Sequence, residues 1–477
     1  MGLFAALQNA SSSLDAYEQA MGVVQNNVSN ASTPGYVTQT QSLQANPFQP
    51  GQGLWGGVQA GDVESARNQG AEQSVWNQNQ LLGSATQQAS SLNALQAAFD
   101  VSGKSGIPAA LSNLYAAFSA WSATPSDATA QQQVMLAAQQ VTQSFNQTST
   151  SISQIESQTN QQAQSTVSQI NQLASQIAQI NDQRRNGAQH DAGLDAQLYN
   201  DLEQLSKLTD INAQPQPDGT VTVLVGAQIP LVIGTTLNQL QVTYLGPIGP
   251  NANAPPDLHI TTSTGQDATN TISEGQLAGL IQFRNVTLPS VIGNGQQQGS
   301  INQLAQAVAD RVNTLLTNGQ ISSGPPPVPG IPLFTYQAGS ATAVAQSLSI
   351  NPAITGPQLA AIDPGPPAVA NGTADKLAQL ANPQSALDMV NGQSYTDFYS
   401  SVATDVGSQA SSASSAQDTQ TQLVTQAQNM RAQISGVSLN EQASKLLQFQ
   451  QAYEASSRMI SVINQTMQDF FTAMQSA

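Results

Sequence analysis

The chain has 477 residues, enough for two to four domains, and is 39% hydrophobic but only 5% aromatic. Lys plus Arg number 11 against 28 Asp plus Glu, a net charge of −17, so nucleic-acid phosphates or an anionic membrane surface would repel it. There is no Cys, which excludes disulfides, thiolate catalysis and Cys-ligated zinc.

Only 8% of residues are charged, and the polar surface is Gln, Ser, Asn and Thr. No apolar run reaches the roughly 18 residues that a membrane span needs. The start, Met-Gly-Leu-Phe-Ala-Ala, has neither a basic n-region nor the Ser or Thr of a myristoylation motif. Export, if it occurs, is expected to use no cleavable signal.

The chain opens with apolar residues at Leu3, Leu7, Ala10, Leu14, Tyr17, Met21, Val24 and Val28, in alternating steps of four and three. That spacing predicts a helix with an a/d heptad seam, narrower than the stripe of an ordinary globular helix. Asn26, Asn27 and Asn30 weaken the helix. Pro34 ends it, and Thr33-Pro34-Gly35-Tyr36 reads as a type II turn. Residues 37–61 are polar and Gly-rich and read as a linker or short hairpin.

Helical periodicity then holds over about 63–210. Leu92, Leu95 and Phe99 lie on one stripe, Leu111, Leu114, Phe118 and Trp121 on the next. A long helix is expected over about 127–185, carrying Ile152, Ile170, Ile177 and Ile180, and a further one carries Leu194, Leu198, Leu202 and Leu205. Near 211 the period changes to two. Asp218-Gly219 is turn chemistry, and Thr220 to Val225, Leu231 to Ile233, Leu240 to Tyr244 and Leu258 to Thr261 read as strands. Helix resumes at Leu277. Residues 321–372 are Pro- and Gly-rich, and 320–390 are expected to be irregular. A capping box at Ser438 and Glu441 restarts helix for the last time. Its seam falls at Leu446, Phe449, Tyr453, Ser456, Ile460, Ile463, Met467, Phe470 and Met474.

The expected fold is mainly α, with a small inserted β domain over 211–272. The terminal helices (1–45 and 437–477) pair as a coiled coil, and a long-helix bundle (46–210 and 273–436) fills the middle. Periodicity fits equally well two ordinary helices of one globular bundle. Taken as a pair, the helices are expected to run antiparallel with Leu14 opposite Ile463 and Val28 opposite Phe449, the start of the last helix projecting past Val28. No catalytic, cofactor or metal site is expected. His190 and His259 lie in different predicted domains and are expected to face solvent, and Asp191 and Asp195 sit at a helix start, where carboxylates favour the dipole.

Asn26-Asn27-Val28-Ser29-Asn30-Ala31-Ser32-Thr33-Pro34-Gly35-Tyr36 resembles the N-terminal signature of flagellar rod, hook and hook-associated proteins. Gly436-Val437-Ser438-Leu439-Asn440-Glu441, with Phe449-Gln450-Gln451-Ala452-Tyr453-Glu454-Ala455, is similar to their C-terminal signature. Within that group, helices followed by a β insertion, with Gly275-Gln276-Leu277-Ala278-Gly279-Leu280-Ile281-Gln282-Phe283-Arg284, resemble the flagellar hook-associated protein 1 family over about 1–45, 165–290 and 395–477. The resemblance implies a structural subunit of the junction between hook and filament on the extracellular flagellum. It implies export unfolded through the flagellar type III apparatus with the help of a chaperone, and self-assembly into a ring through the seam residues and the Asn27, Asn30, Thr33, Pro34, Gly35 and Tyr36 motif. Hook protein on one side and a second junction protein on the filament side are the implied partners. A hook or distal rod subunit is the nearest alternative, but hook proteins are dominated by β domains where this chain is helical. A secreted hydrolase or adhesin using the same export route is the reading from another class.

Overall fold

A computed structural model describes residues 2–49, 54–100, 103–246, 249–251, 254–337 and 339–476. The chain divides into two compact units, one of residues 1–81, 171–238 and 420–477, the other of 82–170 and 239–419.

In chain order the helices are α1 (Gly2–Ser29), α2 (Gln69–Gln96), α3 (Gly106–Ala123), α4 (Ala128–Gln183), α5 (Ala192–Leu208), α6 (Gly275–Gln282), α7 (Leu288–Ile292), α8 (Ser300–Asn318), α9 (Val344–Ser347), α10 (Gly372–Ala378), α11 (Tyr395–Ser435) and α12 (Leu439–Ser476). The long helix expected over 127–185 is α4. It ends in a π-helical turn at Arg184–Ala188, where Gly187 takes φ 115° and breaks the path into α5.

The first unit holds both chain ends. Antiparallel strands β1 (Gln39–Ala45) and β4 (Val58–Ser65) form a hairpin, capped by the short pair β2 (Phe48–Gln49) and β3 (Leu54–Trp55). α1 lies against this hairpin and against α12. Ser13 Oγ accepts from the Val58 amide at 3.2 Å. Gly57, at φ 104°, is held so close to α1 that a Cβ would sit 2.8 Å from Asn9 Oδ1. α1 is therefore covered on two faces, at least in part. One is the heptad seam, and the other carries Ala16 and Ala20, small enough to let strands approach.

The same unit contains a four-stranded antiparallel sheet of β5 (Ile211–Pro215), β6 (Val221–Val225), β7 (Ile229–Ile233) and β8 (Thr236–Leu237). Val221, Val223, Val225, Ile229 and Leu231 form its buried face. Asn181 of α4 holds it. Its Nδ2 donates to Val221 O at 2.8 Å and Gly234 O at 2.7 Å, and its Oδ1 accepts from the Val221 amide at 2.8 Å.

The second unit has one large core, built from Leu111, Leu114, Phe118 and Trp121 of α3, Phe145 and Ile152 of α4, Leu304, Val308 and Val312 of α8, and Tyr395 and Tyr399 of α11. The hairpin of β9 (Leu240–Leu245) and β10 (Asp257–Thr262) belongs here. Asn285 ties it to the helical turn after α6, accepting from Leu258 N at 3.0 Å and donating to Leu258 O at 2.7 Å. The segment 211–272 is thus two separate sheets in different units, where the sequence suggested one inserted domain. Each sheet is claimed by an asparagine from a different helical segment, Asn181 and Asn285. The segment expected to be irregular is indeed poor in regular structure, but it is packed: Leu333, Phe334, Val344, Leu348 and Leu359 are in the core.

Candidate assembly interface

Heptad spacing sets which face of each terminal helix is covered. On α12, Gln442 is buried, and Leu446, Phe449, Tyr453, Ser456, Ile460, Ile463 and Met467 are half-buried, while their neighbours are mostly exposed. On α1, Val24 is buried and Leu7, Leu14, Tyr17 and Met21 are half-buried. Leu3 and Val28 are exposed, as are Phe470 and Met474 at the end of α12.

The helices run antiparallel. Tyr17 packs on Phe449 with ring centroids 6.5 Å apart, and ten residues further along α1, Asn27 Nδ2 donates to Gln442 Oε1 at 3.0 Å. The register differs from the expected one. Phe449 meets Tyr17, where Val28 was expected, a slip of eleven residues. The projecting end is consequently the C-terminal end of α12 and not its start.

The Asn-rich motif that closes α1 holds this register. Asn27 is fully buried. Besides Gln442, its Nδ2 donates to Gln39 O at 2.8 Å, and its Oδ1 accepts from the Gln39 amide at 2.9 Å. One side chain thus joins the end of α1, the start of β1 and the start of α12. The Tyr36 hydroxyl lies 2.8 Å from Asn26 Oδ1 and 2.9 Å from Asn27 Oδ1, and burial pushes its pKa up to about 12. Asn30 donates to Asn26 O at 3.1 Å and accepts from Thr33 Oγ1 at 3.1 Å, closing the chain over the helix end. The type II turn is present: Tyr36 N donates to Thr33 O at 3.1 Å, Pro34 is exposed at its corner, and Gly35 takes φ 76°. A Cβ on Gly35 would lie 2.2 Å from Ala196 O, so glycine is required twice over, by conformation and by the approach of α5. On the other side, Thr38 N donates to Ser435 O at 3.0 Å and Thr38 Oγ1 to Gly436 O at 2.8 Å, tying the first strand to the α11–α12 break.

An ionic cluster beneath this motif was not visible in the sequence. Arg67 bonds Glu72 Oε1 at 2.6 Å, Asp195 Oδ2 at 2.8 Å and Gly35 O at 2.7 Å, and its guanidinium lies 3.7 Å from the centre of the Tyr199 ring. Arg431 bridges Glu72 at 3.2 Å and Glu203 at 2.6 Å, and Arg184 reaches Asp195 at 3.3 Å. Three guanidinium groups meet three carboxylates, so the cluster is neutral. Asp195 is therefore an ion-pair partner and not just a helix-dipole residue. Asp191 does cap α5, accepting from the Gly193 and Leu194 amides. The rarity of Arg here was the available signal, but Arg67 and Asp195 lie 128 residues apart, and Arg431 is further still from Glu72 and Glu203. His190 is exposed. His259 is half-buried in the second unit and pairs with Asp267 at 2.8 Å. Among the described residues no group of His and carboxylates has a metal-binding arrangement, and no helix is long and apolar enough to cross a membrane.

A helix pair built from both chain ends, a Thr-Pro-Gly-Tyr turn with its asparagines locking it, and a mostly helical body define a structural protein of the flagellar axial class. The model of the flagellar hook-associated protein FlgK helical domain matches residues 65–334, more than half of the chain, and that of the flagellar basal body rod FlgEFG protein C-terminal region matches 431–471. The chain belongs to the flagellar hook-associated protein FlgK family, whose members are structural proteins of the hook–filament junction. Flagellar hook-associated protein 1 of Bacillus subtilis (strain 168) is 26% identical over 99% of this chain and 98% of its own length. The protein of that name from Escherichia coli (strain K12) is 35% identical over 86 residues, 18% of this chain and 16% of its own. The fold is shared with the flagellar hook junction protein FlgK from Burkholderia pseudomallei, at TM-score 0.61 and 17% identity, covering 74% of this chain and 99% of that one.

Proposed function

We propose that this chain is a subunit of the junction layer between flagellar hook and filament, that it assembles with copies of itself into a ring through α1 and α12, and that it performs no catalysis. Hook protein on one side and a second junction protein on the other are its axial neighbours. It reaches the extracellular flagellum through the flagellar export route, with a chaperone guarding its ends before assembly. The observation that carries the reading is the antiparallel α1–α12 pair. Its seam residues are only half-buried within one chain and are anchored through Asn27 to the family motif. A seam left half open is what a subunit needs if neighbours are to complete its burial.

Deletion of the gene tests this directly. Cells are expected to carry hooks without filaments and to spill filament protein into the medium, with the full-length chain restoring filaments. Normal filaments in the deletion strain would overturn the reading.

A further inference from the structure

The seam of α12 does not stop where α1 stops. With Tyr17 opposite Phe449, the start of α1 at Gly2, fifteen residues earlier, falls opposite Asn464. Measured from the Asn27–Gln442 bond it falls opposite Met467. α12 runs on to Ser476, a projection of about 14–18 Å at 1.5 Å per residue. Heptad phase continues through it: Met467 is half-buried, and then Phe470 is 61% exposed and Met474 63%, with Phe471 beside them at 59%. Asp469 is the one charged side chain between 464 and 476. At the same end of the pair, α1 exposes Leu3 and, at 72%, Phe4, and its residues up to Leu14 carry no charged side chain.

We propose that the projecting end of α12, through Phe470, Phe471 and Met474, takes the first turn of α1, Leu3 and Phe4, of a second copy of this chain. This rests on the reading that the terminal helices are the assembly surface, and it names their partner and register. The occupant follows from continuity and from counting. The surface extends, in phase, an interface that α1 already fills within one chain. Each copy offers one projecting end and one exposed α1 start, two different patches that satisfy each other once per copy in a head-to-tail array. Asp469 is the one charged side chain among the residues brought together, and each buried Phe or Leu contributes about 1.5–3 kcal/mol.

The absence of native Cys makes a two-population cross-link decisive. Within one chain Phe4 lies opposite residues about 462–465, so Phe470 is several residues further along and its Cα is out of reach of a disulfide. Cells producing Phe4→Cys and Phe470→Cys chains together should yield, from oxidised isolated flagella, covalent dimers containing one of each. Cells producing either variant alone should yield monomers. Dimers from a single variant would mean symmetric pairing and overturn the proposal. So would a cross-link to a different protein, or no cross-link in flagella that contain both variants. As a second arm, Phe470→Glu with Phe471→Glu should lower incorporation into flagella at least tenfold while leaving the far-UV dichroism of the purified chain unchanged, and wild-type incorporation would overturn it. Immunogold position is read in parallel: a chain found away from the hook–filament junction defeats the functional reading, whereas the dimer assay reads the contact itself.

Discussion

Asn27 is fully buried and holds three segments that are far apart in sequence, so its deletion leaves several partners unsatisfied at once. A lost buried hydrogen bond costs about 1 kcal/mol, and a backbone donor left unpaired costs more. Asn27→Ala is therefore expected to lower unfolding free energy by about 2–4 kcal/mol, read by urea denaturation. Asp201 argues in the opposite direction. It is buried on α5, and burial pushes its carboxyl up to about 6 from the usual 3.8. Between those values the folded chain binds more protons than the unfolded one, so stability falls as pH rises through about 4–6. Asp201→Asn is expected to raise stability at pH 7, by on the order of 1 kcal/mol after allowing for screening, and to flatten the pH profile in that window. An unchanged profile would mean that water reaches the carboxylate.

At the scale of elements, the helices, their direction and the covered faces were legible, and the register was not. The reason lies in the seam itself. A heptad stripe slid by eleven residues, seven plus four, presents the same face again, so periodicity selects a face and leaves the offset free. What selects the offset is a single polar contact, Asn27 to Gln442, together with the hairpin against α1. The Gly35 turn was legible because its chemistry is local. The Arg67–Glu72–Asp195 cluster was not, since nothing in the residues between Arg67 and Asp195 reports that they meet. The same applies to the sheets of 211–262, whose strands follow from alternation but whose allegiance depends on Asn181 and Asn285. The register can be tested inside one chain. Tyr17→Cys with Phe449→Cys should close an intrachain disulfide in the dilute monomer. Leu14→Cys with Ile463→Cys should not, because eleven residues of slip is about 16 Å, beyond the roughly 7 Å limit between Cα atoms. The reverse result would restore the offset expected from matched chain ends.

For the molecule as a whole, charge and seam act at different ranges. The chain carries −17 with only 11 basic residues, and several of these are consumed within it: Arg67, Arg184 and Arg431 in the cluster, Arg284 on Glu156, Arg311 on Asp388. Copies therefore approach as like-charged bodies. The seam they would share is almost uncharged, with Glu441, Lys445, Glu454, Arg458 and Asp469 along α12 and only Asp15 and Glu18 on α1. Repulsion acts over the Debye length, about 30 Å at 0.01 M salt and about 8 Å at 0.15 M, whereas apolar burial acts only at contact. Raising NaCl across that range should speed self-association of the purified chain by about tenfold or more, measured by light scattering at fixed protein concentration. Once copies are in contact, salt should scarcely alter how fast they separate, because few ion pairs would be broken. Association slowed by salt would show instead that copies attract through charge, and the apolar seam would no longer suffice as the assembly surface.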